Sequence, residues 1–235
     1  MASTHKQESD RIREEFHRRE REMEPDFYAL HRPGNLFVRH GQERALLTAL
    51  IRSESVPLGD KRILEIGCGR GQWFVTFETL GARRDKLAGI ELDVERGQAC
   101  AERFPHADIR IGDATQLPWD DGALDIVFQS TVFTSVLDDQ VKQRLAQEML
   151  RVVKQDGVLL WYDLHRNNPR NPNVRGIGRR EIARLFPSCY IWLRRATLAP
   201  PIARKVVPVS STIATLLESL NFLNTHNIGY IKKPG

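Results

Sequence analysis

Between Arg62 and Leu164 short apolar runs alternate with longer stretches of helical spacing, and this alternation restricts the fold more than any other feature of the chain. RILEI, KLAGIEL, ADIRIG, ALDIVFQS and GVLLWYDL read as strands, with QWFVTFETLGA, VERGQACAERF and DDQVKQRLAQEMLRVV as helices among them. Strands joined through helices form a parallel sheet covered on both faces, because a tight hairpin cannot connect parallel neighbours. Right-handed crossovers then place the working edge at the carboxyl ends of the strands. Further on, REIARLFPSC reads as a helix and YIWLRRATL and HNIGYIKK as strands, with a Pro-bounded helical excursion from Ala199 to Leu223 between those two strands.

Ahead of this pattern, residues 5–24 are highly charged with sparse apolar positions at Ile12, Phe16 and Met23, and Pro25 ends them. That composition predicts an amphipathic helix lying over something larger as a lid or arm. NLFVRHGQERALLTALI predicts a second helix, ending before Pro57. The first residues are charged where a leader would need an apolar core, and no run approaches the roughly 18 apolar residues of a membrane span. The expectation is a cytoplasmic protein without a transmembrane segment. Cys68, Cys100 and Cys189 show neither CxxC nor Cys/His spacing, so no disulfide framework and no metal site are expected.

The net charge of +5 is unevenly placed: from Leu164 onward there are 12 Lys and Arg against two acids, Glu181 and Glu218. A surplus of this kind fits an acidic partner, whether phosphate, nucleic acid or an anionic membrane surface, and equally a solvated face.

The loop ILEIGCGRGQ narrows the chemistry. Glycines leaving a strand and entering a helix let backbone N–H groups approach a ligand at the positive helix end. A dinucleotide fingerprint needs G-x-G-x-x-G, whereas here Gly67, Gly69 and Gly71 leave Gln72 in the last slot. No Gly-Lys-Ser/Thr follows, so a Walker loop is absent. Glu65, two residues ahead of Gly67, does not suit a pyrophosphate but suits a ligand that carries an amine.

The run Glu65-Ile66-Gly67-Cys68-Gly69-Arg70-Gly71 resembles motif I of the class I S-adenosylmethionine-dependent methyltransferases. The resemblance covers Arg62 to about Asp163 by motif and the rest by architecture. It implies a Rossmann-like seven-stranded sheet, mostly parallel with the last strand antiparallel. It further implies that Gly67, Cys68, Gly69 and Gly71 pass the methionine part of S-adenosylmethionine and that Glu65 lies under its amino end. Glu91, followed by Leu92, comes 20 residues after Gly71 at a strand end, where a carboxylate accepts both ribose hydroxyls. Asp113 and the backbone of Ala114 would hold the adenine, with Gln129 and Ser130 near the methyl group. Asp93 also suits a helix cap ahead of Val94, and Asp138-Asp139 suit the same role ahead of the next helix. On this reading residues 1–58 are a helical lid and linker, 59–163 the cofactor-binding core, and 164–235 its C-terminal part with the acceptor-shaping excursion.

Methyl transfer from a sulfonium is an in-line displacement, so alignment and exclusion of water come first, and an alcohol acceptor also needs a base. Many relatives in the family carry a His-His pair after the fourth strand; here those positions are Thr134 and Ser135. The search therefore moves to the fifth-strand loop, where His165 is the first candidate and Asp163 its orienting partner or rival. His31 is a second candidate, with Tyr28 and Arg32 beside it placed to close over the ligand. Arg166, Arg170 and Arg175, with Arg179 and Arg180, suit planar recognition of phosphate or carboxylate, or simply solubility. The Asn/Asp-Pro-Pro-aromatic motif of base-modifying methylases is missing, as QSTVF stands there, so nucleic acid is not the expected partner. Pro200 to Leu223 suits a cap over an acceptor, which is the expected role, with a surface resting on an anionic bilayer as the alternative. The expected activity is O-methylation of a small molecule such as a sugar, glycan intermediate or secondary metabolite, acidic acceptors included. An N-methyltransferase, an RNA methyltransferase and a non-catalytic S-adenosylmethionine-binding partner are the alternatives.

Overall fold

Seven strands form one sheet in the order β3-β2-β1-β4-β5-β7-β6, in a computed structural model that describes residues 2–168 and 171–234. They are β1 (Ile63–Ile66), β2 (Leu87–Glu91), β3 (Asp108–Ile111), β4 (Leu124–Ser130), β5 (Val153–Leu164), β6 (Tyr190–Leu198) and β7 (Asn224–Lys232). Only β7 runs against its neighbours, pairing antiparallel with both β5 and β6. The strand order reverses between β1 and β4, which opens a crevice at their carboxyl ends.

Helices cover both faces. On one side α2 (Pro33–Arg52), α3 (Gln72–Thr79) and α4 (Val94–Arg103) bury Leu46, Leu50, Phe74, Phe77 and Cys100 against Ile63, Phe128 and Tyr162. On the other, α5 (Asp139–Val152) and α6 (Arg179–Leu185) bury Leu145, Met149 and Ile182 against Leu64, Val127 and Trp161. The central strands are buried on both faces, which is why they read as unbroken apolar runs rather than alternating ones. Asp93 caps α4 by accepting from Arg96 N–H at 3.0 Å, and Asp138 caps α5 through the N–H groups of Gln140 and Val141.

The amino-terminal helix α1 (Ala2–Glu22) is an arm, as its sparse apolar positions require. The second helix departs from the expected grouping of residues 1–58 as lid and linker. Ala45, Leu46, Ala49 and Leu50 are all buried in the main core, so α2 belongs to the sheet's helical cover.

The excursion between β6 and β7 consists of α7 (Pro200–Val206) and α8 (Ser211–Ser219). They close over a small satellite core of Leu198, Ala203 and Ala214, against which Phe37 and Val38 of α2 pack. β6 and β7 pair again at Leu198 and Asn224, and Ala199 N–H donates to the Leu223 carbonyl at 3.0 Å. The excursion therefore leaves and rejoins the sheet at one point, on the carboxyl edge of the parallel strands.

Candidate functional site

The glycine loop sits at the carboxyl end of β1. Gly67, Gly69 and Gly71 have φ of 67°, 55° and 76°, a region that side-chain-bearing residues rarely enter. A Cβ on Gly71 would meet the Phe104 ring at 2.5 Å, and one on Gly67 would meet Val132 at 2.9 Å. These glycines are required by space as well as by conformation. Cys68 is buried within the loop, and its contact with the Cys100 thiol, together with burial, pushes its pKa up.

Glu65 lies directly behind the loop and is fully buried. Its Oε2 has no hydrogen-bond partner, and burial raises its pKa well above the usual carboxylate range, with Cys100 and Glu91 adding to the rise against Arg39 and Arg96. A buried carboxylate oxygen without a partner costs on the order of 1–3 kcal/mol, so the position calls for a cationic or donating group.

Glu91, at the end of β2, accepts from Gly69 N–H at 2.7 Å through one oxygen and from Asp93 N–H at 3.0 Å through the other. It therefore ties the glycine loop to β2, and each oxygen keeps a further lone pair. Leu92 beside it is half-buried and offers its carbonyl to Arg13 at 3.3 Å. Asp113, just beyond β3, accepts from the Thr115 N–H and hydroxyl on one oxygen. Its other oxygen accepts from Ser9 of α1 at 2.8 Å, and Ala114 is half-buried next to it. Gln129, at the end of β4, is fully buried; its Oε1 accepts from Val132 N–H at 3.1 Å, while its Nε2 makes no close hydrogen bond and acts on the Asp163 carboxyl. Ser130 follows on the opposite face of the strand, half-buried.

Asp163 and His165 are not joined by a hydrogen bond, contrary to the expectation of an orienting pair. Asp163 is fully buried and accepts from the Thr134 hydroxyl at 2.7 Å, the Leu164 N–H at 2.8 Å and the Thr134 N–H at 3.3 Å. Burial pushes its pKa up to about 7 although those three donors, and the Gln129 side-chain amide with them, pull it down. Thr134 is thus the partner of Asp163. His165 instead places Nε2 at 2.9 Å from the Asn224 carbonyl. A carbonyl only accepts, so Nε2 carries the proton and Nδ1 is the basic nitrogen. Burial lowers the His165 pKa, and the positive charges of Arg195 and Arg166 lower it further, against the pull of the Asn224 carbonyl.

The folded-state pKa of Asp163 lies above that of an unfolded aspartate, so the native state holds the extra proton and stability falls as pH rises from about 4 through about 7. Asp163→Asn keeps an acceptor for Thr134 and cannot ionise. Chemical denaturation of the variant is expected to lack a loss on the order of 3–4 kcal/mol that the parent shows between pH 4 and pH 8. An equal pH dependence in both proteins would show that Asp163 is ionised throughout.

The remaining sequence candidates do not converge. His31 is exposed and makes no hydrogen bond. Tyr28, 54% exposed, accepts from Arg19 at 2.9 Å, and Arg32 pairs with Glu24 at 3.1 Å, so both are held within the arm and its linker. Arg175 pairs with Asp139 and, at 3.4 Å, with Glu181, which spends its charge on α5 and α6 instead of on an open pocket. Arg166 is exposed, and Arg170 falls outside the described residues.

The sequence reading missed how α1 engages the crevice. Ser9, Arg13 and His17, spaced i, i+4, i+8 along one face, reach Asp113, the Leu92 carbonyl and Asp93 in turn, the last at 2.7 Å. On the adjoining face Glu8 accepts from Leu137 N–H, Arg11 donates to the Ser135 carbonyl, and Glu15 accepts from Asn171 and Asn173. The spacing of these polar residues was the available signal. A cavity of about 420 Å³ remains beneath the arm, lined by Lys6, Ser9, Asp10, Arg13, Asp113, Gln116 and Arg144. Among the described residues no cluster of metal ligands is present, and no helix is long and apolar enough to cross a membrane.

Comparison with known proteins agrees with this geometry. A methyltransferase domain family matches residues 63–157. The phthiotriol/phenolphthiotriol dimycocerosates methyltransferase of Mycobacterium tuberculosis is 32% identical over 115 residues, 48% of this chain and 41% of that protein. The N-methyltransferase tcpN of Claviceps purpurea is 26% identical over 112 residues, 46% of this chain and 38% of that protein. The chain thus spans less than half the length of these curated relatives. Among solved structures, geranyl diphosphate C-methyltransferase of Streptomyces coelicolor, crystallised with Mg2+, geranyl diphosphate and S-adenosylhomocysteine, superposes with a TM-score of 0.59 at 19% identity. That alignment covers 82% of this chain and 79% of the other. Glycine loop, acid-ended strands, sheet order and matched domain together make residues 63–157 similar to an S-adenosylmethionine-dependent methyltransferase domain, carried on the same fold as the solved methyltransferase.

Proposed function

We propose that the protein transfers a methyl group from S-adenosylmethionine to a hydroxyl of a small, acidic or lipid-like acceptor. The observation that carries the cofactor half is Glu65: a fully buried carboxylate with an unpartnered oxygen behind a glycine loop fits a ligand that brings an ammonium group. Glu91 has lone pairs left for two ribose hydroxyls, and Asp113 with the Ala114 N–H suits an adenine edge, once Ser9 yields its bond. S-adenosylmethionine supplies an electrophilic methyl group and a neutral leaving sulfur when bound.

The chain's own task is then to align the acceptor and take its proton. His165 Nδ1 supports an oxygen acceptor, because a histidine whose pKa is lowered is neutral near pH 7 and ready to accept a proton. Arg166 and Arg195, the same charges that act on His165, favour an acceptor that is itself anionic. Asp163, protonated below about pH 7, positions Thr134 and the loop after β4 and is not itself placed as the base.

The relatives methylate different atoms by their printed names, carbon in one and nitrogen in another, so the acceptor atom must come from experiment. The test is a panel of hydroxylated, carboxylated, amine and prenyl-diphosphate acceptors with methyl-labelled S-adenosylmethionine. Label on an acidic alcohol that is absent from matched amines is the expected result. Label only on amines would replace the O-methyl reading. Cofactor binding with no turnover on any class would favour a non-catalytic partner.

A further inference from the structure

We propose that the α7–α8 excursion docks on an anionic lipid bilayer and holds the carboxyl edge of the sheet against it. Ile213 and Leu216 lie one turn apart on one side of α8, Val209 stands in the turn just ahead of the helix, and Leu220 and Phe222 follow directly after it. All five are exposed, Val209 at 82%, Leu216 at 63% and Phe222 at 59%. The buried side of the same helix is already served by Ala214 and Leu217 in the satellite core, so this second apolar stripe is not needed for folding. The one charge on α8 is Glu218, and it is paired with Arg44 at 3.0 Å. A surface helix with an apolar stripe and no free charge of its own suits the boundary between headgroups and acyl chains.

Charge selects the occupant. The part of the chain from Leu164 onward carries 12 bases and two acids, and both acids are spent internally, Glu181 on Lys142 and Arg175, Glu218 on Arg44. Beside α8, Arg194 is crowded: burial and the neighbouring Arg52 and Arg44 disfavour its charge, and Glu218 alone opposes them. Lys205, ahead of the stripe on α7, is exposed. Joining two copies through the stripe would bring two such clusters together, which like-charge repulsion disfavours, whereas an anionic surface neutralises them. Because the excursion rejoins the sheet beside His165, docking would bring that residue to the membrane surface.

The inference does not depend on the reaction assigned above, and its test uses no turnover. The full chain is floated with phosphatidylglycerol-rich and with pure phosphatidylcholine vesicles, at low and high salt, beside Leu216→Glu and Val209→Asp variants. Their thermal midpoints are measured in parallel, and Val209, the most exposed position, serves if Leu216→Glu unfolds. Binding to the anionic vesicles alone, weakened by salt and reduced roughly tenfold by either substitution, is expected. Absence of binding, or binding indifferent to salt and to both substitutions, overturns the proposal. A concentration-dependent dimer that Leu216→Glu dissolves, without vesicle binding, would assign the stripe to a second copy instead.

Discussion

Calorimetric titration of S-adenosylhomocysteine into a Glu91→Ala variant is expected to show affinity reduced by roughly a hundredfold or more. Glu91 is placed to act twice. Its carboxylate holds the Gly69 and Asp93 N–H groups, at 2.7 and 3.0 Å, and it would accept from the ribose with what remains. Alanine therefore leaves two donors unanswered and releases the loop from β2, while also removing the ribose acceptor. Glu91→Gln separates the two effects. The amide keeps one oxygen for the loop, so it should recover the thermal stability lost in the alanine variant but only part of the affinity. NAD should bind neither the parent nor the variants, since Gln72 takes the slot of the third dinucleotide glycine. Unchanged S-adenosylhomocysteine binding in Glu91→Ala would remove the cofactor assignment of the whole crevice.

His165→Ala is expected to lower kcat between about a hundredfold and ten-thousandfold with an oxygen acceptor, and to leave S-adenosylhomocysteine affinity nearly unchanged. The side chain is held by the Asn224 carbonyl at the far side of β5 from the glycine loop, so its removal should not disturb the loop. The sign of the pH dependence follows from its pKa. Because burial and two arginines lower it, the neutral base persists below the ordinary histidine range, and kcat should be level near pH 7 and fall only in more acidic solution. The alanine variant should lose that acidic limb. A drop below tenfold, or an acidic limb that persists in the variant, would move the base elsewhere or show that the acceptor needs none.

Much of this was legible in the sequence for a definite physical reason. The central strands are buried on both faces and short, so apolar runs ended by Gly67, Glu91 and Gln129 mark both the elements and the crevice they border. Glycines with positive φ are dictated by backbone geometry, and backbone geometry is local. What was not legible depends on partners far apart in the chain. Thr134 claims Asp163 across 29 residues, Asn224 claims His165 across 59, and Ser9 reaches Asp113 across 104. Arg175 looked free for a ligand because nothing in its neighbourhood reveals that Asp139 would fold against it. The placement of α2 in the core was obscured by its mixed composition, in which buried alanines and leucines are interleaved with arginines that run out to solvent.

The single point at which the excursion leaves and rejoins the sheet makes it a separable unit of the structure. Leu198 pairs with Asn224 as though the 25 residues between them were a hairpin tip, and a satellite core holds those residues against α2. Such a cassette can be lengthened, shortened or exchanged without shifting the register of β6 on β7 or the loop behind β1. A change of length there would leave the glycine loop and the ends of the parallel strands where they stand.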